Sequence, residues 1–159
     1  MDIREIIETD NVPIASIIRN ALKEFGANKP GTVFFDPTTD DLFNVFHIAN
    51  SRYFILEEDG EILGGAGIYP TQGLEEDTCE LVKMYLKPEA RGKGYGKLLI
   101  ERAMSAAHEM GYKKVYIESM PELKRALSMY EKLGFKYLDG PLGNSGHTGC
   151  DRWMLKDLE

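Results

Sequence analysis

The stretch Leu86–Leu99 reads Leu-Lys-Pro-Glu-Ala-Arg-Gly-Lys-Gly-Tyr-Gly-Lys-Leu-Leu, which is typical of a strand that runs through a glycine-rich loop into a helix. The first N–H groups of a helix have no partner within it, and glycines let a ligand approach the main chain closely. The helix dipole favours an anion there, and Arg91, Lys93 and Lys97 add positive charge. The stretch therefore predicts a phosphate-binding loop.

The spacing of the glycines separates three kinds of phosphate site. A P-loop needs four residues between its first glycine and Gly-Lys-Ser/Thr, and this chain does not have that pattern. A dinucleotide-binding loop needs Gly-x-Gly-x-x-Gly in the first strand-to-helix turn, whereas Gly92, Gly94 and Gly96 alternate past the middle of the chain. Both kinds of nucleotide-binding enzyme are therefore disfavoured.

The segments around the loop predict a mixed α/β fold with antiparallel and crossover connections. Apolar spacing and cap residues predict helices over residues 11–25, 42–48, 94–110 and 121–133. Strand-like runs cover residues 2–8, 52–57, 61–69, 78–86, 113–119 and 147–156, with a turn into another strand at 134–137. The glycine-rich run 64–67 within one strand indicates either tight sheet packing or a ligand-facing surface.

Composition fits one compact domain over residues 1–159. The hydrophobic fraction of 43% and charged fraction of 28% are ordinary for a globular protein and argue against long disordered tails. The formal net charge of −7 argues against nucleic acid or an anionic membrane as the main partner, because both attract basic surfaces. A cationic or neutral substrate fits better.

Cysteine and histidine usage bounds the compartment and the chemistry. Cys79 and Cys150 do not make a disulfide framework, so we expect reduced thiols. The start of the chain lacks a signal-peptide pattern, and no run approaches the ~18 apolar residues that span a bilayer, so we expect a cytoplasmic protein. His47, His108 and His147 are isolated in sequence from one another and from both cysteines, so no metal is expected.

Two motifs resemble those of the GNAT superfamily of N-acetyltransferases. Arg91-x-x-Gly94-x-Gly96 looks like the superfamily's Arg/Gln-x-x-Gly-x-Gly/Ala signature. Residues 126–135 resemble its next motif, in which a helix ends in Tyr-x-x-x-Gly-Phe, here beginning at Tyr130. The resemblance implies a twisted central sheet of about seven strands, flanked by about four helices and splayed open to admit acyl-CoA.

The resemblance covers roughly residues 52–137 and implies which groups hold acetyl-CoA. Main-chain groups of residues 84–86 would bind the pantetheine arm as an added strand would, and the N–H groups of residues 92–97 would bind the pyrophosphate. The Met84 N–H would polarise the thioester carbonyl. The cofactor-binding residues implied in this way are Met84, Tyr85, Leu86, Arg91, Gly92, Lys93, Gly94, Tyr95, Gly96, Lys97 and Tyr130.

Transfer to an amine needs a base for the ammonium proton and an acid for the departing thiolate. The resemblance implies Tyr130 as the acid, since a phenol of pKa ~10 can protonate a thiolate of pKa ~8.5; packing at a helix end is the alternative. Glu80 is the candidate base, directly or through a water, and strand alternation puts it on the same face as Met84. The alternative for Glu80 is an exposed strand carboxylate or one paired with Lys83 or an arginine.

Three further positions carry open interpretations. The position seven residues before Tyr130, often asparagine in the superfamily, is Leu123 here, which puts in doubt the usual side-chain contact to the pantetheine arm. Lys132 either approaches the CoA 3′-phosphate or interacts favourably with the dipole at the C-terminal end of its helix. His147 lies in the turn-rich segment 140–151, as a second proton shuttle or as part of a long hairpin loop.

The sequence thus predicts an N-acetyltransferase that moves the acetyl group of acetyl-CoA to a primary amine of a small molecule or amino acid. Direct transfer in a ternary complex needs neither cysteine as a nucleophile. A non-catalytic acyl-CoA-binding sensor is the alternative function. The acceptor is not identified by the sequence, and a homodimer is expected only because dimers are common for this fold and among soluble proteins.

Overall fold

The structure is a computed structural model that describes residues 1–158, and its strands form a seven-stranded sheet. The strands are β1 (Asp2–Glu5), β2 (Arg52–Glu58), β3 (Glu61–Tyr69), β4 (Thr78–Leu86), β5 (Lys114–Ser119), β6 (Lys136–Tyr137) and β7 (Arg152–Asp157). The α-helices are α1 (Asn11–Glu24), α2 (Leu42–Val45), α3 (Tyr95–Glu109) and α4 (Lys124–Lys132). The predicted α/β architecture, with a mixed sheet and four flanking helices, is confirmed.

The sheet has the order β1-β2-β3-β4-β5-β7-β6, and its pairs are antiparallel except for β4 with β5. Apolar clusters cover both of its faces. Phe54 and Leu56 of β2 join the cluster that contains α3, while Tyr53 and Ile55 join the cluster that contains α1. This division explains why β2 is an almost continuous apolar run, since both of its faces are buried. Across residues 1–158, no helix has the length and apolar character that a membrane span requires.

The two parallel strands separate part-way along their length. Their register pairs Thr78 with Lys114 and ends at Glu80 opposite Tyr116. Beyond this point β4 still pairs with β3 as far as Leu86, and β5 still pairs with β7 as far as Ser119. The free edges of β4 and β5 therefore diverge, and the predicted splay of the sheet is confirmed.

The second helix is shorter than the predicted 42–48. It is a single turn, preceded by a 3-10 turn over Pro37–Asp40. The Ser51 hydroxyl hydrogen-bonds the carbonyl oxygens of Phe46 and Ile48 at 3.0 and 2.9 Å. In a longer helix these carbonyls would accept hydrogen bonds from N–H groups of the next turn. The Ser51 hydroxyl donates to them instead, so the helix ends here.

Helix α4 and strand β7 both begin later than predicted. The Leu123 N–H donates to the Met120 carbonyl at 3.0 Å, so residues 120–123 form a turn and the helix begins at Lys124 instead of Pro121. The Gly149 N–H donates to the Gly31 carbonyl at 2.8 Å, which holds residues 147–151 against another loop. The Gly149 N–H is thereby drawn away from the sheet ladder. The Asp151 N–H is the first to reach β5, at 3.1 Å from the Ser119 carbonyl, and β7 starts at Arg152.

The glycines of β3 make room for an aromatic side chain from the neighbouring strand. A Cβ on Gly65 would lie 2.5 Å from the Tyr53 ring, and one on Gly67 would lie 2.6 Å from it. Tyr53 therefore lies across β3, and its hydroxyl donates to the Lys83 carbonyl of β4 at 2.7 Å. Of the two interpretations of the glycine run, tight sheet packing is confirmed.

Candidate active site

A cavity of about 580 Å³ opens between the diverging ends of β4 and β5. Its wall also includes residues of α1, α4 and the loop before α3. Most of the residues expected at the site line it, namely Glu80, Met84, Tyr85, Leu86, Arg91, Gly92, Gly94, Gly96, Lys97 and Tyr130. Lys93 and Tyr95 do not: the Lys93 Nζ lies 5.8 Å from the Tyr95 ring centroid, and the Tyr95 hydroxyl donates to Glu58 at 2.7 Å.

The loop before α3 presents unoccupied main-chain donors. Gly92 and Gly94 have φ values of 75° and 81°, in the left-handed region that favours glycine. Gly94 caps α3 in this conformation, and the loop bends into the helix there. Within residues 1–158, no protein group accepts a hydrogen bond from the N–H groups of residues 92–97. The amides that the sequence predicts to bind phosphate are therefore free to do so.

Arg91 uses its guanidinium within the protein. It donates to the Glu24 carboxylate of α1 at 2.7 Å and to the Leu86 carbonyl at 2.9 Å. The guanidinium carbon also lies 4.8 Å from the centroid of the Phe25 ring. These contacts tie the loop to the end of α1, so Arg91 positions the loop while it lines the cavity.

A β-bulge in β4 changes which side chains face the two sides of the sheet. Gly65 pairs with Tyr85 and Gly67 with Val82, so one residue of β3 faces two residues of β4. Lys83 at this bulge has a φ of 52°, which is strained for a residue with a side chain. The Tyr53 hydroxyl bond to the Lys83 carbonyl supports this conformation.

The bulge corrects one prediction about the site. Met84 packs with the cluster that contains α3, whereas Val82 and Tyr85 pack with the cluster that contains α1. Glu80 lies two residues before Val82, so it shares a face with Val82 and not with Met84. The prediction that Glu80 and Met84 share a face is wrong, because the extra residue shifts the alternation by one.

Glu80 is a buried carboxyl with an environment suited to proton transfer. It is 2% exposed, and one of its oxygens accepts a hydrogen bond from the Thr71 hydroxyl at 2.6 Å. Burial raises the pKa of Glu80 to about 7; repulsion from Glu118 adds to the rise, while the Thr71 bond opposes it. A carboxyl that titrates near neutral pH can act as a base and release the proton again. Its carboxylate has no ion pair with Lys83, whose charge acts on it only at longer range.

Tyr130 packs at a helix end and also lines the cavity. Its ring is 6% exposed and packs edge-on against Phe135, with the ring centroids 5.9 Å apart. The residue nevertheless lines the cavity, and within residues 1–158 its hydroxyl has no hydrogen-bond partner. Burial raises the pKa of the phenol, so the hydroxyl keeps its proton and has it available to donate.

Two residues near Glu80 are Glu118, which the sequence does not single out, and His147, whose role it leaves open. Oxygen and nitrogen atoms of Glu80, Glu118 and His147 lie within 4.8 Å of one another. Glu118 accepts hydrogen bonds from the Tyr116 hydroxyl at 2.8 Å and from the Ser145 hydroxyl. The signal for Glu118 is its position two residues after Tyr116, which pairs with Glu80, but using it requires knowing the parallel register.

The group Glu80, Glu118 and His147 has the composition of a metal site although its members are far apart in sequence. Each member is already hydrogen-bonded within the protein. Glu80 bonds Thr71, Glu118 bonds two hydroxyls, and His147 Nε2 lies 2.9 Å from an Asp36 carboxylate oxygen. These bonds account for the cluster without an ion.

The two cysteines are free thiols in poor surroundings for nucleophiles. Cys79 is buried, and Cys150 lines the cavity. Burial raises the pKa of each thiol to about 12. Because the thiolate is the reactive form, this environment disfavours either cysteine as a nucleophile.

Comparison with known proteins places this geometry in a family. The profile of the Acetyltransferase (GNAT) family matches residues 16–135, which is well over half of the chain. The chain belongs to the GNAT acetyltransferases. The resemblance that the two motifs carry is thereby confirmed, and this GNAT protein is an acyltransferase.

Relatives of this GNAT protein extend over nearly its whole length. It is 44% identical over 157 residues to the uncharacterized N-acetyltransferase YjgM of Escherichia coli (strain K12), covering 98% of this chain and 93% of that one. The crystal structure of a GNAT family acetyltransferase from Staphylococcus aureus Mu50 matches with a TM-score of 0.87 at 16% identity, covering 99% of both chains. The structure of yncA from Salmonella typhimurium, solved with its cofactor acetyl-CoA, matches with a TM-score of 0.76 at 19% identity, covering 100% and 94%. The two structures establish the shared fold.

Proposed function

We propose that the protein transfers the acetyl group of acetyl-CoA directly to a primary amine of a small molecule or amino acid. The observation that carries the proposal is one cavity that joins free loop amides to a buried carboxyl and an unpaired phenol. The yncA structure with acetyl-CoA supports the cofactor assignment by shared fold. Acetyl-CoA supplies an activated thioester, and the remaining chemistry belongs to the residues of the chain.

The cofactor would be held mostly by main-chain groups. The N–H groups of residues 92–97 would bind the pyrophosphate, since they are free and lie at the start of α3. Residues 84–86 lie at the edge of β4 that β5 leaves unpaired, so they can bind an extended pantetheine arm. The bulge at Lys83 sets the direction of the Met84 N–H, our candidate donor to the developing oxyanion.

The two proton transfers fall to Glu80 and Tyr130. Glu80 takes a proton from the ammonium, directly or through a water, and the neutral amine then attacks the thioester carbonyl. After the attack, the amine nitrogen carries one proton more than the amide product. The carbon–sulfur bond breaks as Tyr130 gives its proton to the departing thiolate, and the extra proton on the nitrogen then restores the Tyr130 phenol, directly or through a water. Because the pKa of Glu80 is about 7, its carboxylate form increases through neutral pH, and turnover should rise over the same range.

Release of free thiol from acetyl-CoA with a panel of amines tests this proposal. We expect Glu80→Gln and Tyr130→Phe to lower kcat by about 100-fold while CoA affinity stays within about threefold. Glu76→Gln, in an exposed loop, and Tyr137→Phe, on the exposed strand β6, are the matched controls. Unchanged turnover in both site variants would show the assignment to be wrong. Tight CoA binding by the wild type without turnover of any amine would instead fit an acyl-CoA-binding sensor.

We further propose a cytoplasmic homodimer that needs neither nucleic acid nor a membrane. The free thiols of Cys79 and Cys150 fit a reducing compartment, and the net charge of −7 disfavours anionic partners. Dimers are the commonest assemblies of soluble proteins. Sedimentation at several concentrations tests the oligomeric state, and a monomer at all of them would contradict it.

A further inference from the structure

Lys83 places a buried ammonium at the wall of the cavity, three residues after Glu80. Its side chain is 6% exposed, and the residue lines the cavity. Burial lowers the pKa of the lysine, while attraction to Asp36 and Glu80 opposes the fall. Lysines are almost never buried this deeply unless they are paired, so the position calls for a partner.

Asp36 pairs with the charge of Lys83, but no described residue accepts a hydrogen bond from it. Within residues 1–158 the Lys83 Nζ donates no hydrogen bond, and the nearest carboxylate oxygen, on Asp36, is 3.8 Å away. The Asp36 oxygens are already engaged by His147 at 2.9 Å and by the N–H and hydroxyl of Thr38 at 2.9 and 2.7 Å. Asp36 therefore neutralises the charge of Lys83 at a distance but leaves its three N–H donors open.

Opposite charges lie close together at this end of the cavity. Glu80 and Glu118 approach each other within 4.8 Å, and the two carboxyls repel each other. An ammonium group entering between them would relieve that repulsion. The same wall thus offers carboxylates that attract an ammonium and, at Lys83, free donors that suit an anion.

We propose that the acceptor is an amine that also carries a carboxylate, as an amino acid does, and that the Lys83 ammonium binds this carboxylate. This inference rests on the proposed transfer to an amine, with Glu80 receiving the ammonium proton. The strained φ of 52° at Lys83 supports the same role, because strained backbone conformations cluster at functional sites. The bulge that contains Lys83 lies on the same strand as Glu80. A purely structural lysine would be expected to bond an acceptor within the protein.

Calorimetry on the CoA-saturated protein tests the inference without requiring turnover. L-amino acids are titrated together with their carboxamides and decarboxylated amines. We expect at least one amino acid to bind 10-fold or more tightly than its carboxamide. Lys83→Met should reduce that ratio to within twofold and leave carboxamide binding unchanged, whereas Lys83→Arg should keep part of the preference. Lys114→Met, on β5 outside the cavity, is the control.

Several outcomes would overturn the inference. They are equal wild-type affinity for acid and carboxamide, no binding by any amino acid of the panel, and an equal loss of acid and carboxamide binding in Lys83→Met despite an unchanged melting temperature. Tighter binding of an aminophosphonate than of the matching amino acid would assign the lysine to another anion. Failure of the proposed transferase activity is seen separately, as no thiol release by the wild type with any amine or as unchanged thiol release by Glu80→Gln and Tyr130→Phe.

Discussion

The two ends of the cavity are built in different ways. At the end proposed to bind the cofactor, called the cofactor end below, residues 92–97 present main-chain N–H groups, and the nearby Arg91 side chain ties this loop to Glu24 of α1. At the other end, which is proposed to bind the acceptor and is called the acceptor end below, separate segments each contribute a side chain, as Glu80, Glu118 and His147 illustrate. A main-chain site depends on backbone conformation and tolerates varied side chains, whereas a side-chain site can change its specificity through single substitutions.

The largest effect is expected from Gly94→Asp at the cofactor end. A carboxylate beside the loop amides opposes the pyrophosphate, so CoA affinity measured by calorimetry should fall by about 100-fold or more. Gly111 is a matched control, because its φ of 93° and empty surroundings resemble the φ of 81° and empty surroundings of Gly94. Gly111→Asp should have a similar cost in stability, about 1 kcal/mol, with CoA affinity unchanged. Equal CoA affinity of Gly94→Asp and Gly111→Asp would show that the loop is not part of the cofactor site.

The next effect concerns the buried carboxyl of the acceptor end. The pKa of Glu80 in the folded protein is about 7 against an ordinary value of 4.5, so the unfolded chain ionises first. Stability is therefore lost as pH rises from about 4.5 to about 7, by at most about 3 kcal/mol. Glu80→Gln should avoid this loss. Its free energy of unfolding, measured by urea denaturation, should therefore increase relative to that of the wild type between about pH 5 and about pH 8. A gain that does not grow with pH would contradict the burial argument.

A smaller effect is expected from the bond that supports the bulge between the two ends. Tyr53→Phe removes the hydroxyl on the Lys83 carbonyl, so kcat should fall by about 10-fold with CoA affinity nearly unchanged. Tyr112→Phe is the control, because the Tyr112 hydroxyl donates to the Asn50 carbonyl at the same 2.7 Å and Tyr112 does not line the cavity. Both variants should lose about 1 kcal/mol of stability. If kcat falls equally in both, the bulge has no special role.

The smallest effect is expected at Cys150. Its thiol pKa of about 12 leaves almost no thiolate at neutral pH, so Cys150→Ser should keep turnover within about threefold. Mass spectrometry of the intact wild-type protein during turnover provides the complementary measurement. A mass increase of one acetyl group that disappears in the serine variant would replace direct transfer with a covalent route.

Features encoded by local spacing were accessible from the sequence. The glycine spacing of residues 92–97 determines a loop conformation that few other residues allow, and the structure leaves those amides free as expected. Tyr130 was implied by the resemblance to the motif in which a helix ends in Tyr-x-x-x-Gly-Phe, and the structure does end α4 at Lys132, just after Tyr130. The order of strands and helices followed from the spacing of the apolar residues. Predicted helix ends were wrong where a side chain such as Ser51 hydrogen-bonds the backbone carbonyls.

Features that depend on several strands at once were not accessible. The bulge at Lys83 requires Tyr53 of β2 to pass over Gly65 of β3, and no short window of sequence contains all three. Strand alternation therefore assigned Glu80 and Met84 to one face. The cluster around Glu80 likewise depends on the register of two parallel strands and on contacts between distant loops.

The contact between Gly31 and Gly149 has a consequence for how such an enzyme can diversify. A Cβ on Gly149 would lie 2.7 Å from the Pro30 carbonyl oxygen, and one on Gly31 would lie 2.8 Å from the Gly149 nitrogen, so the two loops meet backbone to backbone. The side chains of Thr148 and Thr32 also pack at this junction. The hydrogen bond from the Gly149 N–H to the Gly31 carbonyl is nevertheless made by main-chain atoms alone, so exchanges of the neighbouring His147 side chain leave that bond intact. Substitutions at His147 can thus change the acceptor preference while the contact between the two loops stays the same.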